Sequence, residues 1–302
     1  MSVKWKYLLA VLTLMMIVVW LAVLKFPKKK LKLVACDVGQ GDATLVVYGE
    51  IQVLIDGGPD DSVLDCLSTH LPFWDRKIEL VILSHPQTDH FGGLVEVLKR
   101  YDVGAFASSG LDSGSQEYSM LKSIVGGSGI RVINPTSGMV IRLGMIYLDI
   151  LHPSEEFLSV NSTSSSTRKE KDVLGMYTSS RDPNEFSVVA ILRLGEFEAL
   201  FTGDIGPKTS DLLAEQFTLG DSQKVEYIKI PHHGSKNGVT GKLLDMIEPE
   251  IAVISVGAKN RYGHPHSEVI KLLSDRGIKT LRTDLTGDIE LITDGNSWQV
   301  VE

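Results

Sequence analysis

The side chains in this sequence that could do chemistry are its histidines and a few neighbouring aspartates. Of eight histidines, six fall in three short segments, each beginning where an apolar run of strand character ends. After ELVIL comes Ser84-His85-Pro86-Gln87-Thr88-Asp89-His90-Phe91-Gly92-Gly93. After VEYIKI comes Pro231-His232-His233-Gly234-Ser235, and after IAVISVG comes Asn260-Arg261-Tyr262-Gly263-His264-Pro265-His266. A fourth segment, Thr202-Gly203-Asp204 after EALF, presents a carboxylate in the same setting. Strand ends and the loops that follow gather polar groups at one edge of a sheet, where sites form. Imidazoles and carboxylates without thiolates suit Zn²⁺, Mn²⁺ or iron and argue against a closed cysteine-type zinc site. The candidate ligands are His85, Asp89, His90, Asp204 and one or both of His232 and His233. Gly92 and Gly93 let the backbone approach closely behind the first segment.

Positioning these groups requires strands that end together. LKLVACDV, ATLVVYG and IQVLID read as three consecutive strands, joined by Gly39-Gln40-Gly41-Asp42 and a turn at Gly49. DSVLDCLSTHL has helical spacing, ELVILS is a short buried strand, and FGGLVEVLKRY opens a helix directly after it. MVIRLG and IYLDILHP return to strand character. From Phe186 onward strands alternate with helices near 208–217, 238–247 and 267–276. Strands that first meander and then alternate with helices imply sheets covered by helices on their outer faces. Residues 154–183, polar and rich in Ser and Thr, are expected to form a mobile loop.

The charge balance divides the chain in two. Thirty basic against thirty-eight acidic side chains give −8, but residues 1–30 hold six lysines and no acid. Residues 31–302 therefore carry −14, which disfavours broad non-specific binding to a polyanion unless a local basic groove exists. Lys229, Lys236, Lys259 and Arg261 lie near the motifs and are candidates for such a patch or for ordinary solvated charges. Tyr7 to Leu24 run eighteen residues without a charge, about 27 Å as a helix, close to a bilayer's hydrocarbon thickness. The expectation is one transmembrane anchor with a basic flank over 1–30, followed by the body over 31–302. Lysines 25, 28, 29, 30 and 32 after the span favour a cytoplasmic body, whereas an amino-terminal span acting as an export signal places it outside. Two cysteines, Cys36 and Cys66, are too few for a disulfide framework, and Cys36 reads as a small core residue.

HPQTDHFGG, TGD and PHHGS together resemble the metallo-β-lactamase fold of metal hydrolases. CDVGQGDA, IDGG, PHHGSKNG and NRYGHP resemble more specifically the hydrolase domain of ComEC-type competence proteins, which act in DNA uptake. The resemblance covers about residues 31–300. It implies an α/β, four-layer αββα sandwich, here preceded by one transmembrane helix, and a divalent metal, zinc or manganese. It assigns Asp89, His90, Asp204 and a histidine of the PHHG pair to one strong subsite, favouring His233 with His232 kept as the alternative. A second, weaker subsite would use His85, with Gln87 where the family has an imidazole or carboxylate. Asn184 and Ser187 stand in the ComEC-type Asn-x-x-Ser, where fold relatives place a further histidine. Asp56 would support a ligand histidine or serve as a turn aspartate before Gly57-Gly58, and Asn260, Arg261 and His264 would face a substrate phosphate or be structural. Asp37, Gln40 and Asp42 read as turn or site edge, His152 as structural, and His266 as the start of a helix.

A metal lowers the pKa of its water to roughly 7, which suits hydrolysis. Asp89 or Asp204 would hold the nucleophile's proton, and His264 would steady developing negative charge. The resemblance implies a phosphodiester substrate, with single-stranded DNA as the candidate, and a separate uptake channel as candidate partner. Two further readings compete: a hydrolase of a small or cell-envelope ester or amide of phosphorylcholine or lactam type, and a non-catalytic module with a decayed second metal subsite.

Overall fold

The computed structural model describes residues 3–24, 29–164, 173–219 and 224–301. The amino-terminal run forms a helix, Val3–Leu24, and from Leu8 through Val18 its large apolar side chains are exposed all around the helix. Among the described residues no helix is long and apolar enough to cross a membrane. The expected span over Tyr7–Leu24 extends into positions whose side chains lie outside the described residues.

From Leu31 the apolar runs become strands whose register is set by burial. LKLVA, TLVVY and IQVLI form an antiparallel meander, with Leu31 opposite Tyr48 and Tyr48 opposite Ile51. They sit within an eight-stranded sheet ordered Trp298–Val301, Ile289–Thr293, Leu31–Ala35, Thr44–Tyr48, Ile51–Ile55, Lys77–Leu83, Asp102–Ser108 and Arg131–Ile133. A seven-stranded sheet is ordered Lys279–Arg282, Ile251–Ile254, Tyr227–Lys229, Phe197–Phe201, Val189–Leu194, Ile146–His152 and Val140–Leu143. The sheets pack face to face through Leu33, Val46, Leu80 and Ile82 on one side and Leu148, Leu192, Ala199 and Val253 on the other.

Each sheet's outer face is apolar too, so each needs a helical cover. Helices Ser62–His70, Leu94–Arg100 and Gln116–Ser128 cover the first sheet through Leu67, Val97 and Tyr118. Helices Pro207–Leu219, Gly241–Ile247 and Ser267–Ser274 cover the second through Leu213, Leu244 and Leu273. The result is helix, sheet, sheet, helix, the expected sandwich. Lys77–Leu83 runs parallel to both its neighbours, and Phe197–Phe201, Tyr227–Lys229 and Ile251–Ile254 run parallel to one another, so their carboxyl ends collect at one edge.

Three local features differ from expectation. The helix after His85 is broken into Thr88–Phe91 and Leu94–Arg100, because the backbone at Gly92 and Gly93 is packed onto carbonyls. A Cβ at Gly92 would lie 2.0 Å from the Pro59 oxygen, and one at Gly93 would lie 2.2 Å from those of Gly57 and Asp60. The stretch expected to be a loop from Ser154 begins instead with helix Glu155–Asn161. Ser154 Oγ caps it by accepting from the Phe157 N–H, and Leu158 packs with Leu111 and Phe186. Thr163–Ser164 then pairs with Tyr177–Thr178, while residues 165–172, the centre of the expected loop, lie outside the described residues.

The third difference is covalent. Cys36 and Cys66, both buried, are joined in a disulfide with a Cα–Cα separation of 5.8 Å. Cys36 is thus a core residue as expected but not a free thiol. A separation of 30 residues gives no spacing signal for the pair; the sheet brings the end of the first strand onto helix Ser62–His70. Such bonds persist in oxidising compartments.

Closing a loop of this length is worth roughly 3–4 kcal/mol in the chain-entropy picture. Denaturant unfolding of the full chain in detergent is therefore expected to shift to a clearly lower midpoint with dithiothreitol. An unchanged midpoint would show that the bond adds no stability.

Candidate metal centre

Asp204 follows strand Phe197–Phe201 in Thr202-Gly203-Asp204 and is fully buried. Its Oδ1 accepts from the His232 N–H at 2.9 Å and from Lys229 Nζ at 3.2 Å. Its own N–H donates to Ser187 Oγ at 3.1 Å. Its Oδ2 faces His90 Nε2 at 3.3 Å and His233 Nε2 at 3.5 Å. Asp89 Oδ2 stands 3.4 Å from the same His233 nitrogen. Asp89, His90, Asp204 and His233 thus meet. Asp42 joins them: one ligand atom from each of Asp42, His90, Asp204 and His233 lies within 4.8 Å of the others, and all four residues are buried.

The imidazoles are oriented from behind. His90 Nδ1 lies 2.8 Å from Asp56 Oδ2, and Asp56 in turn accepts from the Ser84 N–H and hydroxyl, each at 2.7 Å. His233 Nδ1 donates to the Ser255 carbonyl at 3.0 Å. With Nδ1 spoken for in both rings, the Nε2 atoms turn into the group, where neither has a hydrogen-bond partner. Two buried, unpartnered imidazole nitrogens converging on ionised carboxylates form a donor set that fits a divalent cation. Holding these groups strains the backbone: Asp56, His232 and His233 all have positive φ near +55°.

Electrostatics make the same point. Burial disfavours charge on His90, yet Asp204 and Asp56 outweigh it and hold the pKa well above the usual value. His233 is likewise raised, Asp204 and Asp42 overcoming burial. Burial would push the carboxyl pKa of Asp204 up, but His233, His90 and Lys229 drive it well below normal. Asp89 falls to about 2 because His233 and His90 outweigh its burial. The carboxylates attract positive charge, and protons on the two imidazoles supply it where no metal does.

Several expected residues have other duties. His232 gives the site its backbone N–H, while its partly exposed ring stands 5.8 Å from that of His264. His85 is buried beside His90 with its Nε2 unpartnered, and burial pushes its pKa down to about 3. Gln87 does not enter the group; its carbonyl accepts from the His90 N–H and its side chain lines the groove outside. Ser187 Oγ bridges Asp204 N and, at 3.4 Å, His85 Nδ1, whereas Asn184 is buried with its Oδ1 unpartnered. Asn260 spends its amide fastening the His264 loop, donating to the His264 carbonyl at 2.8 Å and accepting from its N–H at 2.9 Å. His264 is held down to about 4, first by burial and then by His233, and stays neutral. His152 donates to the Glu185 carbonyl, and His266 caps helix Ser267–Ser274, as expected.

Two members of the site were misread. Asp42 was expected at a turn or the site edge and is instead buried among the ligands. Its place in the first strand-end loop was the available signal. Lys229, expected in a basic patch or as a solvated charge, is buried, ion-paired with Asp42 and Asp204, and donates to the Gly203 carbonyl at 2.9 Å. Its position between Ile228 and Ile230 in a continuous apolar strand was the clue. Burial would lower its pKa, but Asp42 and Asp204 prevail and it remains charged. Asp37 stays at a turn, accepting from the Gly39 N–H, and Gln40 accepts from the Gly257 N–H at the groove. Beyond Asp89 opens a groove of about 790 Å³, lined among others by Gln40, Gln87, Lys259, Arg261 and Tyr262.

Residues 36–137 match the metallo-beta-lactamase superfamily model. Together with the sandwich fold and the buried ligand group, this match makes the chain similar to the metallo-β-lactamase superfamily, with a candidate metal centre where the strands of both sheets end. Its sequence relatives are ComEC-type competence proteins. The chain is 25% identical over 276 residues to ComE operon protein 3 of Bacillus subtilis, covering 84% of this chain and 32% of that one. It is 26% identical over 268 residues to competence protein ComA of Neisseria gonorrhoeae, covering 87% and 32%. It therefore spans about a third of the length of these relatives. Among solved structures it is similar to the metallo-β-lactamase-fold protein YhfI of Bacillus subtilis, with TM-score 0.54, 11% identity, and coverage of 91% of this chain and 100% of that one.

Two outcomes follow. Replacing Asp56→Asn removes the carboxylate that holds His90 Nδ1 and should weaken Zn²⁺ or Mn²⁺ binding about 10–100-fold, as read by chelator competition. Metal uptake must also displace protons from His90 and His233, so calorimetry in buffers of different ionisation enthalpy should detect proton release, and apparent affinity should rise with pH. Uptake without proton release would contradict the electrostatic account.

Proposed function

We propose that this chain is a membrane-anchored phosphodiesterase or nuclease of ComEC type, its body facing an oxidising compartment. The observation that carries the catalytic part is that Asp89, which stands 3.4 Å from His233 of the buried Asp42, His90, Asp204 and His233 group, lines an open groove shared with Lys259, Arg261 and Tyr262. A divalent ion held by that group, zinc or manganese, would supply a hydroxide equivalent at neutral pH. Asp89, ionised and lining the groove, is the carboxylate placed to receive a proton there. Asp204 orients the ligand histidines and is itself fixed by Lys229. His264, neutral and ring-stacked with Tyr262, can donate one N–H to negative charge developing on a phosphoryl oxygen.

His85 with its free Nε2 is the remaining donor for a second, weaker ion, since Gln87 and Asn184 bring no charge. Arg261 lies over the Tyr262 ring, which is 55% exposed. That pairing of cation and aromatic face suits a phosphate joined to a base, hence a single-stranded nucleic acid. The basic groove wall provides the local positive potential that a body of −14 lacks elsewhere.

The Val3–Leu24 helix, uncharged from Tyr7 onward with exposed apolar side chains through Val18, supports an anchor. The disulfide supports an extracytoplasmic body over the opposite indication from lysine counting. The similarity to competence proteins favours an uptake channel as partner.

Full-length protein stripped of metal and then given Mn²⁺ or Zn²⁺ should hydrolyse bis-p-nitrophenyl phosphate and single-stranded DNA, but not nitrocefin. His233→Ala should reduce the rate by at least ~100-fold, while His232→Ala, which keeps its backbone N–H, should stay within about tenfold. Turnover of nitrocefin alone would favour the small-substrate reading. Tight metal binding without turnover of any substrate would favour a non-catalytic module.

A further inference from the structure

The metal centre lies at one end of the strands, and the opposite end carries an aromatic feature that the catalytic reading does not use. Phe73 and Trp74, in the turn between helix Ser62–His70 and strand Lys77–Leu83, are 81% and 72% exposed with ring centroids 4.9 Å apart. The turn is fastened at its base. Lys32 Nζ donates to the His70 carbonyl at 3.1 Å, Gln52 Nε2 donates to Asp75 Oδ2 at 2.7 Å, and Asp102 N–H donates to the Arg76 carbonyl at 2.7 Å. The two rings are thus held out in water by an ordered support.

Strand register shows what shares this edge. Leu31 lies opposite Thr293 and Tyr48, and Tyr48 lies opposite Ile51. Gly144, at the tip of the hairpin carrying exposed Met145, packs on Ile51. Leu31 is also where the chain arrives from the amino-terminal helix: six residues separate it from Leu24, and six extended residues reach no more than about 21 Å. Lys29 and Lys30 on this approach are exposed, and Lys77 begins the strand after the aromatic turn. Paired aromatic rings bordered by lysines are the composition that settles at a bilayer's polar boundary. Glu50 and Asp102 lie exposed on the same edge, so apolar insertion, rather than attraction to anionic lipid, must carry the contact.

We propose that this edge is a bilayer-docking surface, with Phe73 and Trp74 inserted at the lipid interface beside the chain's own anchor. The proposal rests on the anchor reading above. Docking in this manner fixes orientation: His85 follows strand Lys77–Leu83, whose seven residues span roughly 23 Å, so the groove faces away from the lipid.

The test uses the full chain reconstituted into phosphatidylcholine/phosphatidylglycerol vesicles, with and without acyl chains brominated at carbons 6 and 7. Flotation reports the anchor independently. The emission difference between wild type and Trp74→Phe, a conservative change at an exposed site, isolates Trp74 from Trp5, Trp20 and Trp298. If the edge is docked, that difference emission is blue-shifted from a water-exposed indole and loses most of its intensity to the brominated lipid. If the chain floats but the difference emission is water-like and unquenched, docking is overturned, including in favour of a protein partner at this patch, while the anchor stands. If the chain does not float, the anchor reading and the docking proposal both fall.

Discussion

The structure turns on the buried carboxylate of Asp204. One of its oxygens is held by an ammonium and a backbone N–H, the other is aimed at two imidazoles, and its own N–H is tied to Ser187. Placing several acids in a dry interior is costly unless positive charge comes with them. Lys229 is the permanent part of that charge and the two imidazoles are the exchangeable part. This division explains why a lysine sits in the core strand Tyr227–Lys229 and why a cation is wanted next to it. The positive-φ residues and the carbonyl-packed Gly92 and Gly93 are local concessions to bringing these groups together.

Because the ligands come from loops after strands in both halves of the sandwich, the site depends on the two sheets being correctly stacked. Asp42, Asp89 and His90 belong to the first sheet's loops, and Asp204 and His233 to the second's. The core between the sheets, built from Leu33, Val46, Leu80, Leu148, Leu192 and Val253 among others, therefore sets the separation of the ligand atoms. Neither half carries a complete set.

Much of this was legible in the sequence because strand ends and histidine segments coincide. The first three strands, the helices near residues 62–70, 208–217 and 267–276, and the meeting of Asp89, His90, Asp204 and a paired imidazole all follow from that pattern. What escaped was whatever depends on contact between distant segments. The disulfide joins residues with no informative spacing, and the burial of Lys229 depends on Asp42 arriving from another strand end. Helix Gln116–Ser128 ends in Gly126, Gly127 and Ser128, which mask its periodicity, yet Tyr118, Leu121 and Val125 bury one stripe. The polar stretch after Ser154 formed a helix because Leu158 found an apolar niche that local composition does not reveal.

The first strand, Leu31–Ala35, is flanked on one side by Thr44–Tyr48 and on the other by Ile289–Thr293. A polypeptide that emerges from a ribosome or translocon amino end first will have one rim of that strand bare while residues 49–288 are made. Only when residues 289–301 appear can the gap close. Until then the nascent body presents an open β-edge, the kind of surface that invites mispairing, and completion of the first sheet waits on the arrival of Ile289–Thr293.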